Sequence, residues 1–202
     1  MKKFELTSEF VTNIFGTKLF RIKALVEFGD VEAGEFGGYI EKEENLDHDG
    51  NAWVYGNAWV YGNAWVYGDA RVCGDARVYG DAWVYGNAWV YGDARVCGDA
   101  RVYGDARVYG DAWVCGDARV YGDAWVCGDA DYAYAHGFGS VNRTTTFFRL
   151  KDGGVGVRCG CFYGTLGEFR EKVQETHGDG KLAQEYLMLA DLMELRFTKE
   201  EG

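Results

Sequence analysis

The chain has 202 residues, a formal net charge of −11 and 48% hydrophobic residues. Because no segment is basic, we do not expect direct nucleic-acid binding. No apolar run is long enough to span a bilayer, and the N-terminus from Met1 to Glu5 lacks the apolar core of a signal peptide. We therefore expect a cytoplasmic protein without a membrane partner.

Residues 1–50 alternate in a way that indicates short strands. Phe4–Leu6 is the first, and Phe10–Phe15 and Lys18–Glu27 flank a Gly16-Thr17 turn. An open solenoid end is an unpaired strand edge, and a near-identical repeat invites end-to-end pairing. We predict that residues 1–50 form a β cap on the solenoid that follows.

A six-residue repeat, Asn/Asp-Ala-Trp/Arg-Val-Tyr/Cys-Gly, runs thirteen times without interruption from Asn51 to Gly128. A fixed short period is typical of a solenoid. Ala and Val alternate with the larger residues, so they share one strand face and suit a narrow interior. The Trp/Arg face must point outward because Arg needs solvent. Gly followed by Asn or Asp predicts a corner.

The spacing within this repeat, with Asn/Asp three residues and Ala four residues after each Val, resembles the hexapeptide repeat of left-handed parallel β-helices. The resemblance implies three hexapeptides per coil and a left-handed sense for residues 51–134. That family usually has a small or acidic residue where this chain has Tyr or Cys. We therefore expect an unusually aromatic outer surface.

Residues eighteen apart stack in such a coil, so the outward residues form columns. One column alternates cation and aromatic ring: Trp53, Arg71, Trp89, Arg107, Trp125. Another is tyrosine throughout: Tyr67, Tyr85, Tyr103, Tyr121. Such contacts stabilise the solenoid, and a flat exposed aromatic face is also typical of an interface. The two interpretations are compatible, and the second predicts a homo-oligomer with these residues as the binding surface.

Residues 135–202 predict a small α+β module. Thr144–Arg149 and Val155–Phe162 form a β-hairpin around a turn at residues 152–154, and Thr165 with Glu168 forms a capping box. The first helix ends at Gly178, and the second runs from about Lys181 to Phe197. Its predicted apolar face is Leu182, Tyr186, Leu189, Ala190, Met193. We expect this module to cap the last coil, and dimerisation through its helices stays open.

Both ends of the chain carry a further resemblance. The stretches Gly37–Leu46, Asn142–Phe148 and Cys159–Phe162 resemble the cap and tail modules of hexapeptide proteins of phages, prophages and gut bacteria. Some of those proteins carry the label polymer-forming cytoskeletal. The resemblance implies a phage-linked origin and transfers no function.

Catalytic residues are not predicted. Hexapeptide transferases usually carry a catalytic His and a loop extruded from the coils, whereas His48, His136 and His177 all lie outside the thirteen repeats. No loop interrupts the repeats, and a general base needs geometry before pKa. We therefore expect no enzyme activity and no cofactor, with a hexapeptide acyltransferase as a weaker alternative.

The tail holds two candidate ligand sites. Arg143, the hydroxyls of Thr144, Thr145 and Thr146, and Arg149 could hold an anion or a nucleotide, or form only a solvated edge strand. Cys159 and Cys161 with His177 are weak zinc candidates because the spacing is not a strong zinc pattern. Alternate residues of a strand explain the two cysteines equally well, and we predict no metal.

Together these patterns predict an all-β solenoid that acts by binding. In a phage setting it would block a host protein or sequester a small nucleotide signal. A structural scaffold or filament is the alternative.

Overall fold

A computed structural model describes residues 1–141 and 143–198. Asn142, which belongs to the tail resemblance, lies outside the described residues. The chain folds into a parallel β-solenoid of about five turns, with antiparallel strands before it and an antiparallel sheet and two helices after it.

Each of the thirteen repeats contributes one two-residue strand. These strands are β4 (Trp53–Val54), β5 (Trp59–Val60), β6 (Trp65–Val66), β7 (Arg71–Val72), β8 (Arg77–Val78), β9 (Trp83–Val84), β10 (Trp89–Val90), β11 (Arg95–Val96), β12 (Arg101–Val102), β13 (Arg107–Val108), β14 (Trp113–Val114), β15 (Arg119–Val120) and β16 (Trp125–Val126). Every third strand pairs in parallel, as with Trp89 opposite Arg107. Three sheets result, which confirms three hexapeptides per coil. The left-handed sense stays a prediction.

The interior of the solenoid is the predicted column of small residues. Every repeat Ala and Val from Ala52 to Val126 is at most 1% exposed. Backbone hydrogen bonds join the coils, as from Trp89 N to Ala106 O at 2.9 Å. At the corners, Gly80 has a φ of 74°, and a β-carbon there would lie 2.9 Å from Gly98 N. Only glycine fits this left-handed corner without strain.

The N-terminal strands are β1 (Phe4–Thr12), β2 (Lys18–Ala24) and β3 (Phe36–Ile40), which pair antiparallel in that order. The predicted break after Leu6 is wrong, because β1 continues through a register shift between Leu6 and Phe10. The predicted turn forms, and Asn13 Oδ1 accepts the Phe15 and Thr17 backbone N–H groups.

Parallel pairing begins earlier than the repeat itself. Tyr39 of β3 lies opposite Trp59 of β5, and Leu46 bridges to Val66. A 3-10 turn at Glu43–Asn45 separates these two segments. The first turn of the solenoid is therefore built from residues without the repeat, and the division into three domains stays a prediction.

The tail contains four antiparallel strands, β17 (Tyr132–Phe138), β18 (Arg143–Arg149), β19 (Val155–Cys159) and β20 (Phe162–Thr165). Another 3-10 turn, Asp129–Asp131, leads into them. The predicted hairpin is β18 with β19, whereas β17 and β20 were not foreseen. Alternation along β18 sends Phe148 into the solenoid core and Phe147 into the tail core.

Two helices complete the tail, α1 (Leu166–His177) and α2 (Lys181–Phe197). The capping box is confirmed, since Thr165 N donates to Glu168 Oε2 at 2.8 Å and Thr165 Oγ1 accepts from Glu168 N. On α2 the placement of Leu182 in the buried face is wrong, because its side chain is 37% exposed. The buried positions are Ala183, Tyr186, Ala190, Met193 and Phe197. Neither described helix has the length and apolar character needed to cross a bilayer.

Both ends of the solenoid are closed by the chain itself. At the N-terminal end, Asn45 Nδ2 and Lys3 Nζ donate to carbonyl oxygens of the first repeat coil, including Ala64 O and Ala52 O. At the last coil, Arg119 N donates to Thr146 Oγ1 at 2.9 Å. Phe148 is fully buried against the final Ala and Val layer. No further coil can therefore stack on either end without displacing these groups.

Candidate functional site

The predicted Arg–Trp column forms on the sheet of β4, β7, β10, β13 and β16. Trp89 lies between two guanidinium groups, 5.1 Å from Arg71 and 5.5 Å from Arg107. Arg107 also faces Trp125 at 5.5 Å. These distances are within the range of cation–π attraction. The column is therefore a continuous stabilising contact along the rod.

Trp53 departs from the rest of this column. Its side chain is fully buried, with Phe4 and Phe28 at ring-centroid distances of 6.2 and 5.3 Å. The prediction that this residue contributes to an outward binding surface is wrong. The N-terminal segment, which the repeat pattern does not describe, folds over the first coil and covers it.

The predicted tyrosine column is also present. Tyr85 stacks between Tyr67 at 4.7 Å and Tyr103 at 4.8 Å, with ring planes within 5°. Tyr121 continues the column at 4.4 Å from Tyr103. Burial raises the pKa of Tyr67 and Tyr85 above the ordinary tyrosine value. Each ring contacts its neighbours in the adjacent coils, and each side chain is partly exposed.

Two tryptophans are the most open aromatic side chains of the solenoid. Trp89 is 37% exposed and Trp113 is 44% exposed. They lie on different sheets, and Arg95 covers part of Trp113 at 5.5 Å. These residues offer apolar area to a partner, whereas most of the surface of the Arg–Trp and tyrosine columns is already in contact within the chain.

The three histidines have different surroundings. His48 stacks on Phe4 at 4.3 Å and accepts the Lys3 backbone N–H, so it is part of the N-terminal packing. His136 lies 2.8 Å from Thr144 Oγ1 and 3.6 Å from Asp117. His177 stacks on Tyr186 at 5.7 Å beside a cavity in the tail.

The five residues predicted to hold an anion do not form one site. Thr145 is buried and donates to Cys159 Sγ, and Thr146 accepts from Arg119 N of the last coil. Thr144 faces His136. Arg149 lies elsewhere, with its guanidinium donating to Gly153 O and packing over Phe197. Alternation along β18 separates them, since adjacent residues point to opposite faces.

Arg143 instead lines a cavity of about 280 Å³ in the tail. The same cavity brings together Cys159, Cys161 and His177, the three weak zinc candidates. Among residues 1–141 and 143–198, no group of three or more His, Cys, Asp or Glu side chains is placed to hold a metal ion. The three candidates therefore share a cavity without forming a coordination cluster.

The remaining lining residues were not predicted to belong to a site, although Tyr186 was predicted on the apolar face of the second helix. They are Ser140, Phe162, Phe169, Lys172, Val173, Thr176 and Tyr186. They come from a loop, β20 and both helices, so no local spacing connects them. Only indirect sequence features point to this cavity. Each of β20, α1 and α2 contributes an aromatic residue, and β18 and α1 contribute basic residues.

This geometry defines a β-solenoid repeat protein with closed ends and a cavity in its tail. Residues 52–68, 70–86, 100–116 and 112–128 match the family described as YdcK Beta solenoid repeat. The match lies within the thirteen repeats, so the chain is similar to that family in its solenoid. A comparison with curated proteins gives no match.

Proposed function

We propose that this protein is a non-catalytic binding protein that forms a discrete homo-oligomer and acts by binding or sequestering a host factor or a nucleotide signal. The observation that carries the proposal is that both solenoid ends are closed while exposed aromatic side chains remain on the sides. A rod of this kind offers its flanks to partners.

The closed ends favour a discrete assembly over a filament. A solenoid that polymerises end to end needs free backbone groups at its terminal coils. Here Asn45 and Lys3 occupy the carbonyl groups at the first coil. At the other end Thr146 and Phe148 cover the last coil. The scaffold alternative therefore requires lateral assembly.

The proposed self-association surface is the sheet that carries Trp89. Trp89 and Arg107 are both exposed there, next to Tyr91 and Tyr109, whose rings stack at 5.0 Å. Tryptophan, tyrosine and arginine are the residues enriched at energetically important interface positions. A flat face of this composition fits a second copy or a host protein.

The surroundings of the histidines support a non-catalytic role. No loop leaves the solenoid between Asn51 and Gly128. His48 is held by Phe4 and Lys3, and His136 by Thr144. We place the protein in phage counter-defence, in the host-cell cytoplasm, on the resemblance of its ends to phage hexapeptide proteins.

Native mass spectrometry and sedimentation velocity of the protein purified from its host test this proposal. A discrete oligomer, with or without a stoichiometric adduct, is the expected result. The Trp89→Ala variant should dissociate at concentrations at which the wild type stays associated. Trp83→Ala is the matched control, because Trp83 is half-buried on another sheet against Trp65 and Arg101.

Three results would contradict the proposal. Concentration-dependent fibres would support the scaffold, and turnover with an acyl-CoA donor would support the transferase. If Trp89→Ala assembles like the wild type and only its melting temperature is lower, the Arg–Trp column stabilises the solenoid and is not an interface.

A further inference from the structure

The tail cavity differs in charge from the rest of the molecule. Its lining includes Arg143, Lys172 and His177, and no Asp or Glu among the described residues lines it. The whole chain has 32 acidic residues against 21 Lys and Arg. Lys172 is paired with Glu175 at 2.7 Å, so the cation that this lining leaves for an anion is Arg143.

Arg143 is the tail arginine without a partner among residues 1–141 and 143–198. Arg149 and Arg170 lie near carboxylates, and Arg158 donates to the Cys161 carbonyl oxygen. No described hydrogen-bond acceptor or carboxylate lies within bonding distance of the Arg143 guanidinium. An uncompensated guanidinium beside a cavity is suited to a charge-assisted contact with an incoming carboxylate or phosphate.

Gly160 makes the space in which this guanidinium lies. The side chain of Arg143 fills the position that a β-carbon on residue 160 would occupy. Gly160 has a φ of 60°, and it separates the two cysteines at the cavity rim. The tight turn between β19 and β20 thus fixes where the cation is presented.

Aromatic rings form the inner wall. Phe169 lies 5.6 Å from Phe162 and 5.8 Å from Tyr186, with the Tyr186 ring nearly perpendicular to it. His177 stacks on the outer side of Tyr186. Burial, followed by the neighbouring Cys159, raises the pKa of Tyr186, so its hydroxyl stays neutral beside a bound anion. Offset and edge-on contacts of this kind suit a planar ring.

We propose that the tail cavity binds a small organic anion, with one planar ring against Phe162, Phe169 and Tyr186 and a phosphate or carboxylate on Arg143. The volume of about 280 Å³ lies just under the range of about 300–1,000 Å³ typical of ligand pockets. One ring with one anionic group therefore fits better than a larger ligand. This site lies in the tail and does not depend on the solenoid faces.

Isothermal titration calorimetry of the full chain tests the site with four probes. Phenyl phosphate and benzoate carry both a ring and an anion, inorganic phosphate carries only the charge, and benzyl alcohol carries only the ring. One equivalent of phenyl phosphate or benzoate should bind about tenfold tighter than either half-probe. The stronger of the two identifies the anionic group.

Matched variants locate the binding. Arg143→Gln should weaken the better probe about tenfold or more. Lys181→Gln removes the same charge at a side chain that is 88% exposed on α2, and should leave the affinity unchanged. Thr176→Trp at the exposed rim should block entry while circular dichroism stays that of the wild type.

The proposal is overturned if the wild type binds neither ring-bearing anion. It is also overturned if Arg143→Gln and Lys181→Gln weaken binding equally, because a diffuse charge effect would then explain it. Loss of self-association in Trp89→Ala with unchanged probe binding would leave this site intact, so the two proposals fail separately.

Discussion

Asn45 Nδ2 donates a hydrogen bond of 2.8 Å to Ala64 O, and the same amide reaches Gly62 O at 3.1 Å. One coil later the equivalent carbonyl, Ala82 O, accepts the backbone N–H of Trp65. In the non-repeat first turn, a buried side-chain amide thus replaces the backbone N–H that a repeat coil would supply. Asn45 Oδ1 accepts the Lys42 backbone N–H, so both ends of the side-chain amide are hydrogen-bonded.

Asn45→Asp should therefore lower the free energy of unfolding by about 3 kcal/mol or more, because it removes two donors and buries a carboxylate. Equilibrium urea unfolding at pH 7 measures the change. Asn57→Asp is the control, since Asp75 occupies the same exposed corner one coil later. Equal stability of the two variants would show that Asn45 does not close the first coil.

Burial of Lys3 at the N-terminal end of the solenoid predicts that the free energy of unfolding depends on pH. Burial lowers the pKa of its ammonium from 10.5 to about 8, while Asp47, Asp49 and Asp69 oppose the shift. Between pH 8 and 10.5 the unfolded chain binds more protons at this site, so the free energy of unfolding rises with pH. Below pH 8 the Lys3 ammonium is charged in both the folded and the unfolded state, so folding bears the full cost of burying that charge.

The stability of the wild type relative to Lys3→Met should therefore increase from pH 8 to pH 10. Urea unfolding at half-unit steps of pH measures this difference. The cysteines and tyrosines that titrate near this interval are common to both proteins, so their contribution cancels in the difference. A difference that is constant or that falls with pH would contradict the assignment.

Burial of Tyr55 predicts that the free energy of unfolding falls with pH above pH 10, which is the opposite of the Lys3 effect. Its buried hydroxyl has no partner in the described part of the chain, and burial raises its pKa to about 12. Tyr55→Phe should be neutral or stabilising by about 1 kcal/mol at pH 7, because an unsatisfied polar group is removed. Exposed Tyr134→Phe should stay within about 0.5 kcal/mol.

The sign of the alkaline effect follows from the raised pKa of Tyr55. The folded state holds this proton more tightly, so its contribution is present below pH 10 and is lost as pH rises toward 12. Between pH 10 and 12, the free energy of unfolding measured by circular dichroism should fall less steeply for Tyr55→Phe than for the wild type. An identical slope would contradict the prediction.

The tyrosine column predicts a stacking contribution. Tyr85→Ala removes contacts with both Tyr67 and Tyr103 and should lower the free energy of unfolding by about 1–3 kcal/mol. Tyr85→Phe keeps the ring and should change stability by less than about 0.5 kcal/mol. Thermal unfolding of the two variants compares them. Equal losses would assign the effect to the hydroxyl.

Much of the fold follows from local pattern. The period of six and the alternation of Ala and Val with larger residues predicted the coil interior and the corner glycines, whereas the stacking of residues eighteen apart followed from the resemblance to hexapeptide β-helices. The capping box formed by Thr165 and Glu168 also predicted where α1 begins. Each of these depends on contacts between residues that the repeat or a single helical turn already relates.

The tail site shows where such reasoning stops. The sequence predicts one anion site from Arg143 and the threonines that follow it, but alternation along β18 directs Thr145 and Thr146 into buried contacts. The cavity forms only when β18, the turn at Gly160, α1 and α2 meet. Its composition cannot be read from spacing, because its residues are neighbours only after the helices pack.

The sequence by itself determined the solenoid, since a repeated strand and corner have one economical way to bury Ala and Val. The tertiary structure decided which repeat residues remain available to a partner. Trp53 has the same local sequence as Trp59, yet Phe4 and Phe28 pack on Trp53. The reason is that β4 is the end strand of its sheet, whereas β5 continues into β3, so the apolar surface at β4 must be covered by another part of the chain.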